Sequence, residues 1–205
     1  MGCYLSNSVK IRNEEILSDD KVMNKNRAGR LEQVTEVLDD DCSKNNKYKV
    51  IFCLGNPGSG KNTQCDLIKE KYKFSHFSCG DLLRAEASTE GSENGDLINE
   101  LIREGKIVPA KITCSLAKRE MNSKGKENIY LIDGFPRNKE NLDGWLEVFG
   151  EECIILAVIH LDCSDETCSK RIKLRALNSG RIDDNEDSLK KRFKVFEDET
   201  LPNIE

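Results

Sequence analysis

A 205-residue chain with 37% hydrophobic and 34% charged residues fits one packed domain plus a polar segment outside its core. Its formal net charge of −5 argues against a nucleic-acid binder, which carries a basic excess. No apolar run is long enough to span a bilayer, the start lacks the apolar stretch of a secretory signal, and nine cysteines without a C-x-x-C pair read as reduced, mostly buried thiols of a cytosolic protein. His76 and His160 are not placed to complete a zinc cluster with them, so no zinc is expected.

Residues 1–46 are rich in Asn, Asp, Glu, Lys and Ser and hold no aromatic residue after Tyr4. One short helical pattern places Leu31, Val34, Val37 and Leu38 on one face, but Asp39-Asp40-Asp41 suits a helix C-terminus badly. This extension is expected to be largely disordered, and 47–205 to form the domain. From Lys47 the texture changes. Tyr48 to Leu54 is a near-continuous apolar run, as for a strand buried on both faces of a parallel sheet. Similar runs span Ile129 to Ile132 and Ile154 to Leu161, with a shorter one near His76 to Ser78. Helical stretches begin near Lys61, Gly80, Pro109, Asn138 and Asp165. This alternation predicts an α/β fold with a doubly wound parallel sheet, which binds ligands at the carboxyl ends of its strands. Gly55, Cys79, Asp133 and Asp162 then fall near one crevice.

The first strand ends in Gly55-Asn-Pro-Gly-Ser-Gly-Lys-Asn-Thr63. Such a turn aims backbone N–H groups into one concavity, the following helix adds its positive end, and Lys61 supplies a mobile charge. Asn62 stands where the common phosphate-loop pattern has Ser or Thr, and Thr63 comes one residue later. Downstream, Phe77-Ser-Cys-Gly-Asp-Leu-Leu-Arg84 opens a helix with an arginine fork able to clamp a phosphate. Leu131-Ile-Asp-Gly-Phe-Pro-Arg137 closes a buried strand with Asp133, suited to waters of a magnesium ion, and Arg137, suited to bridging phosphates. Arg171, Arg175, Arg181 and Arg192 surround a Ser179-Gly-Arg-Ile-Asp-Asp184 loop; a basic loop closing over a nucleotide would add charge and exclude water.

These elements, with GKIVPAKIT and NKENLDGW between them, resemble the adenylate/UMP-CMP kinase family from about Tyr48 onward, nearest its UMP-CMP kinase branch. The resemblance implies a P-loop kinase with a mobile monophosphate-binding arm near 78–110 and a short lid near 175–185, acting as a monomer. It implies transfer of the γ-phosphate of ATP to CMP or UMP, with Mg2+ bound alongside ATP. Gly58, Ser59, Gly60, Lys61, Asn62 and Thr63 match the ATP-phosphate loop, with Arg175 beside them. Ser78, Gly80, Arg84, Gly134, Phe135 and Arg137 fall in the monophosphate segments. Lys106, Ile107 and Val108 match the part of the arm beside the monophosphate base. Arg181 and Arg192 join Arg175, Lys61 and Arg137 as the catalytic charges, supported by Asp183 and Asp184; Asp133 orients magnesium waters.

Asn141, four residues past Arg137, sits where adenylate kinases generally carry Gln, and a shorter amide suits a pyrimidine. Cys79, small and mostly apolar, points weakly the same way. An adenylate kinase acting on AMP stays open as an alternative. So does a nucleotide-binding domain of little activity, because the family pattern continues past Glu205 with a fifth strand and a final helix. Their absence would leave the edge of the Ile154–Leu161 strand bare. Finally, Met1-Gly-Cys-Tyr-Leu-Ser6 fits the N-myristoylation pattern, with Gly2 as acceptor and Cys3 beside it for a second acyl chain. The expected location is cytoplasmic, with membrane tethering through this N-terminus as an added reading.

Overall fold

The computed structural model describes residues 8–12 and 46–204. The sheet grows from β2 (Tyr48–Gly55), whose sequence YKVIFCLG alternates between two buried faces. Val50, Phe52 and Leu54 point to one side, where α4 (Ala110–Lys124) and α5 (Lys139–Phe149) cover them. Ile51 and Cys53 point to the other, beneath α1 (Lys61–Tyr72). Burial on both faces explains why the strand reads as a continuous apolar run. The larger core is aromatic: Trp145 stacks on Phe149 at 3.9 Å and meets Phe52 edge-on at 5.2 Å.

Three further strands follow in the predicted places: β3 (Ser75–Ser78), β4 (Ile129–Asp133) and β5 (Cys153–Asp162). All pair in parallel, in the order β5-β2-β4-β3, with one more strand, β1 (Ser8–Arg12), beyond β5. The fold is therefore the expected doubly wound α/β sheet. Beyond β3, α2 (Cys79–Ala87) and α3 (Gly95–Glu104) form a small separate cluster with the start of α4, in which Leu83, Ile98, Val108 and Leu116 are buried together. After β5 come α6 (Asp165–Ser179) and α7 (Glu186–Val195).

The edge of the sheet departs from expectation. β1 (Ser8–Arg12) lies within the segment expected to be largely disordered, and it pairs in parallel with β5. Ser8 registers with Val158 and Arg12 with Asp162, so β1 lines the half of β5 that is most buried. The edge predicted to be bare is thus occupied by the chain's own N-terminal segment. An unpaired row of N–H and C=O groups on an apolar strand is a template for such pairing. The helical pattern at Leu31 to Leu38 lies outside the described residues, as do Gly2 and Cys3. Seven cysteines fall within them, all free thiols and all buried except the half-buried Cys153.

Candidate active site

A cavity of about 420 Å³ opens at the carboxyl ends of β2, β3 and β4, a size suited to small-molecule ligands. Its floor is the turn after β2. Gly58 has φ 83°, and a Cβ there would meet the Cys168 carbonyl of α6 at 2.5 Å, so the turn fits only as glycine. Gly60, also left-handed at φ 92°, opens α1 and points its first N–H groups at the cavity. Lys61 Nζ donates to the carbonyls of Gly55 at 2.9 Å and Asn56 at 3.0 Å, folding its charge over the turn. Burial pulls the Lys61 ammonium below its ordinary pKa, and the Asp133 carboxylate counters it. Asn62 and Thr63 line the same cavity with exposed side chains; the Asn62 amide turns along the helix to donate to Asp66 at 3.3 Å.

The opposite wall comes from β4 and its loop. Asp133 ends the strand; burial pushes its carboxyl up, and Lys61, His76 and Arg137 pull it back down. Its Oδ1 is buried without a hydrogen-bond partner among the described residues. The loop turns through Gly134 and a cis Phe135–Pro136 bond to Arg137. Arg137 Nε donates to the Gly134 carbonyl at 3.1 Å, and its own carbonyl accepts from Thr200 Oγ1 at 2.6 Å. Its backbone N–H donates to Asn141 Oδ1 at 3.2 Å. Asn141 is 2% exposed and its Nδ2 has no partner among the described residues.

Charge closes the cavity from the third side. Arg84 and Arg181 both reach Asp81 Oδ1, at 2.5 and 3.2 Å, joining the first turn of α2 to the loop after α6. Half-burial alone would raise the Asp81 carboxyl; the hydrogen bond from Arg84 and the two arginine charges hold it below its ordinary value. Arg192 of α7 pairs with Asp183 at 2.6 Å, and burial lowers its guanidinium to about 10. Ser188 Oγ donates to the Arg103 carbonyl at 2.7 Å, fastening α7 to the end of α3. Six arginines and a lysine around one cavity can bind several phosphate groups and stabilise charge spreading between them.

The family model described as adenylate kinase matches residues 53–205. The UMP-CMP kinases of Mus musculus and Homo sapiens are each 46% identical to the chain over 163 residues, covering 78% of it and 83% of their own length. The UMP-CMP kinase of Danio rerio is similar to the same extent. The chain belongs to the adenylate kinase family. It is a nucleoside monophosphate kinase, a transferase that moves a phosphoryl group between nucleotides.

The residues named from the kinase sequence divide by location. Gly58, Gly60, Lys61, Asn62 and Thr63 line the cavity, as do Ser78, Gly80 and Arg84. So do Asp133, Gly134, Arg137, Arg175, Arg181 and Arg192. Ser59 is fully buried behind the turn. Phe135 turns its ring into the core between Phe52 and Trp145. Val108 is buried with Leu83 and Ile98, and exposed Lys106 pairs with Glu104. Hence Lys106, Ile107 and Val108 bring no side chain to the cavity wall. Asn141 stands behind Arg137, outside that wall.

Arg171, grouped in the sequence with the arginines around the lid loop but given no site role of its own, lines the cavity and donates to the carbonyls of Gly58 at 3.5 Å and Ser59 at 3.3 Å. Its spacing was the available signal: it precedes Arg175 by one helical turn, so both share one face of α6. Asp81 and Thr200 are further additions, recognisable only from their contacts.

Proposed function

We propose that this kinase transfers the γ-phosphate of ATP to a pyrimidine nucleoside monophosphate, CMP or UMP. The observation that carries the reading is Asn141. Its Oδ1 is occupied by the Arg137 N–H, while its buried Nδ2 has no partner, which suits a pyrimidine carbonyl or ring nitrogen. The UMP-CMP kinase relatives support the same choice.

The segment Gly58 to Thr63 cradles the ATP phosphates. Arg84 and Arg137 hold the acceptor phosphate, within an arm near 78–110 that includes Ser78, Gly80 and the backbone of Lys106 to Val108. Lys61, Arg137, Arg175, Arg181 and Arg192 surround the transferring group, the last three from or beside a lid near 175–185. An acceptor phosphate oxygen bonds to the γ-phosphorus as the bond to the β–γ bridging oxygen breaks. The protein's part is to align these groups and exclude water. Mg2+ fits here: the unpartnered Asp133 Oδ1 can hold a water of the ion, which would neutralise charge on the β- and γ-oxygens. The protein is read as a cytoplasmic monomer. A coupled ADP-release assay with CMP, UMP, dCMP and AMP tests the reading; highest activity with AMP would overturn it.

The opening Met1-Gly-Cys-Tyr-Leu-Ser6 favours a second element, acylation of Gly2 and Cys3 and attachment to membranes. One myristoyl chain binds reversibly, and a second makes the anchor stable. β1 begins at Ser8, so the tether between Cys3 and the docked strand is short. Alkyne-myristate labelling and cell fractionation test it. Label that persists in Gly2→Ala, or wild-type protein wholly in the soluble fraction, would defeat it.

A further inference from the structure

A chain of polar side chains leads from the phosphate turn to the flank of Asp133. Asn62 Nδ2 donates to Asp66 Oδ2 at 3.3 Å, and Asp66 Oδ1 meets His76 Nδ1 at 3.2 Å. Asn62 and Asp66 are one turn apart on α1, whereas His76 belongs to β3. Ser78 registers with Asp133 and His76 with Leu131, so all four side chains point to the α1 side of the sheet. His76 and Asp133 are diagonal neighbours on that face. The His76 side chain is 7% exposed. Its Nε2 and Asp133 Oδ1 are both buried without a hydrogen-bond partner among the described residues.

A carboxylate facing Nδ1 keeps the ring proton on that nitrogen, so Nε2 presents a lone pair. Asp133 Oδ1 is an acceptor too. Two neighbouring buried acceptors call for a species that donates two protons and needs none in return. A water bound to a metal ion is such a species, because its oxygen lone pair is engaged by the cation. We propose that His76, braced by Asp66 and Asn62, is a positioning residue that shares with Asp133 one water of the magnesium shell brought in with ATP. This rests on reading Asp133 as a residue that holds magnesium through water. It also gives Asn62 a purpose: its amide steadies the carboxylate that orients His76.

The test measures Mn2+ affinity in the complex of the full chain with ADP, by electron paramagnetic resonance, beside the Mg2+ dependence of the rate. Asn in place of His keeps a donor near Nδ1 but is too short to reach Asp133, whereas Gln carries a polar atom close to the position of Nε2. His76→Asn should weaken Mn2+ binding about tenfold with the KM for CMP little changed, His76→Gln should stay near wild type, and Asn62→Gly should lose about two- to threefold. Wild-type Mn2+ affinity in His76→Asn, with affinity lost in Asp133→Asn, would overturn the role of His76 alone. Unchanged affinity in Asp133→Asn would overturn the reading of Asp133 as well. Equal losses in the Asn and Gln variants, with matching falls in thermal midpoint, would reduce His76 to a structural residue and defeat the proposal.

Discussion

Arg175 grips Asp184 with both arms of its guanidinium: Nε donates to Oδ2 at 2.8 Å and an Nη to Oδ1 at 2.5 Å. Ser179 Oγ adds a third bond to the carboxylate at 3.0 Å. This pair sets the shape of the loop between α6 and α7 and fixes where Arg175 meets the cavity. Its hydrogen bond to Asp184 raises the Arg175 pKa. Burial would raise Asp184, but the bond from Arg175 holds it below the usual carboxylate range.

Asp184→Asn should therefore lower turnover about ten- to a hundredfold, since small misplacements of a charge at a phosphoryl-transfer site are costly. It should also lower the thermal midpoint by about 5 °C at pH 7. A carboxyl with a depressed folded pKa stabilises fully above its unfolded value of about 4, and that stability is lost as pH falls through the lower, folded value. The gap in midpoint between wild type and Asp184→Asn should narrow as the buffer is taken below about pH 4. A gap that stays constant would mean that the pair adds no pH-dependent stability.

Lys61→Met removes a charge whose pKa burial already lowers, so the empty protein has little stability to lose. Turnover should fall at least about a hundredfold, the scale of losing one preorganised charge at a transition state, with the thermal midpoint within a few degrees of wild type. Circular dichroism melting and the coupled assay together check this. A folded Lys61→Met protein with near-normal turnover would remove the turn after β2 from the site.

Proline in place of both Val9 and Lys10 should lower the thermal midpoint by a few degrees. One of two consecutive residues in a parallel strand faces its neighbour, and proline there deletes a ladder bond to β5. Hydrogen exchange should show weakened protection along Val158 to Asp162 in the variant. Unchanged melting and protection would mean that β1 adds nothing to the sheet.

The interior strands could be read from the sequence because burial on both faces leaves continuous apolar runs such as Tyr48–Gly55. The glycines and Lys61 were legible because phosphate binding needs backbone freedom and charge at fixed spacing. β1 was not legible. Ser8–Arg12 is an edge strand of mixed polarity within a polar segment, and its partner Val158–Asp162 lies far along the chain. The direction of a named side chain was also hidden: Phe135 and Val108 sit in site segments yet pack inward, because packing of neighbouring elements decides which face turns to the core. The arginine count was plain, but the acidic partner that joins Arg84 to Arg181 is visible only once Asp81 is seen between them.

Asn141→Gln lengthens the amide behind Arg137 by one methylene. The longer amide would stop a pyrimidine from seating as deeply as it needs while still reaching a purine that sits less deep, so preference should shift toward AMP by about tenfold or more, the scale of discrimination that one methylene or hydrogen bond provides. Loss of activity with every nucleotide, and no shift in their ratio, would place base recognition elsewhere.

The most direct measurement is kcat/KM for CMP, UMP and AMP with Mg·ATP, on the full chain under one set of conditions. The account predicts that CMP or UMP exceeds AMP by at least about tenfold, as expected when a buried amide finds its partner in one base and not the other. AMP as the preferred acceptor would contradict it.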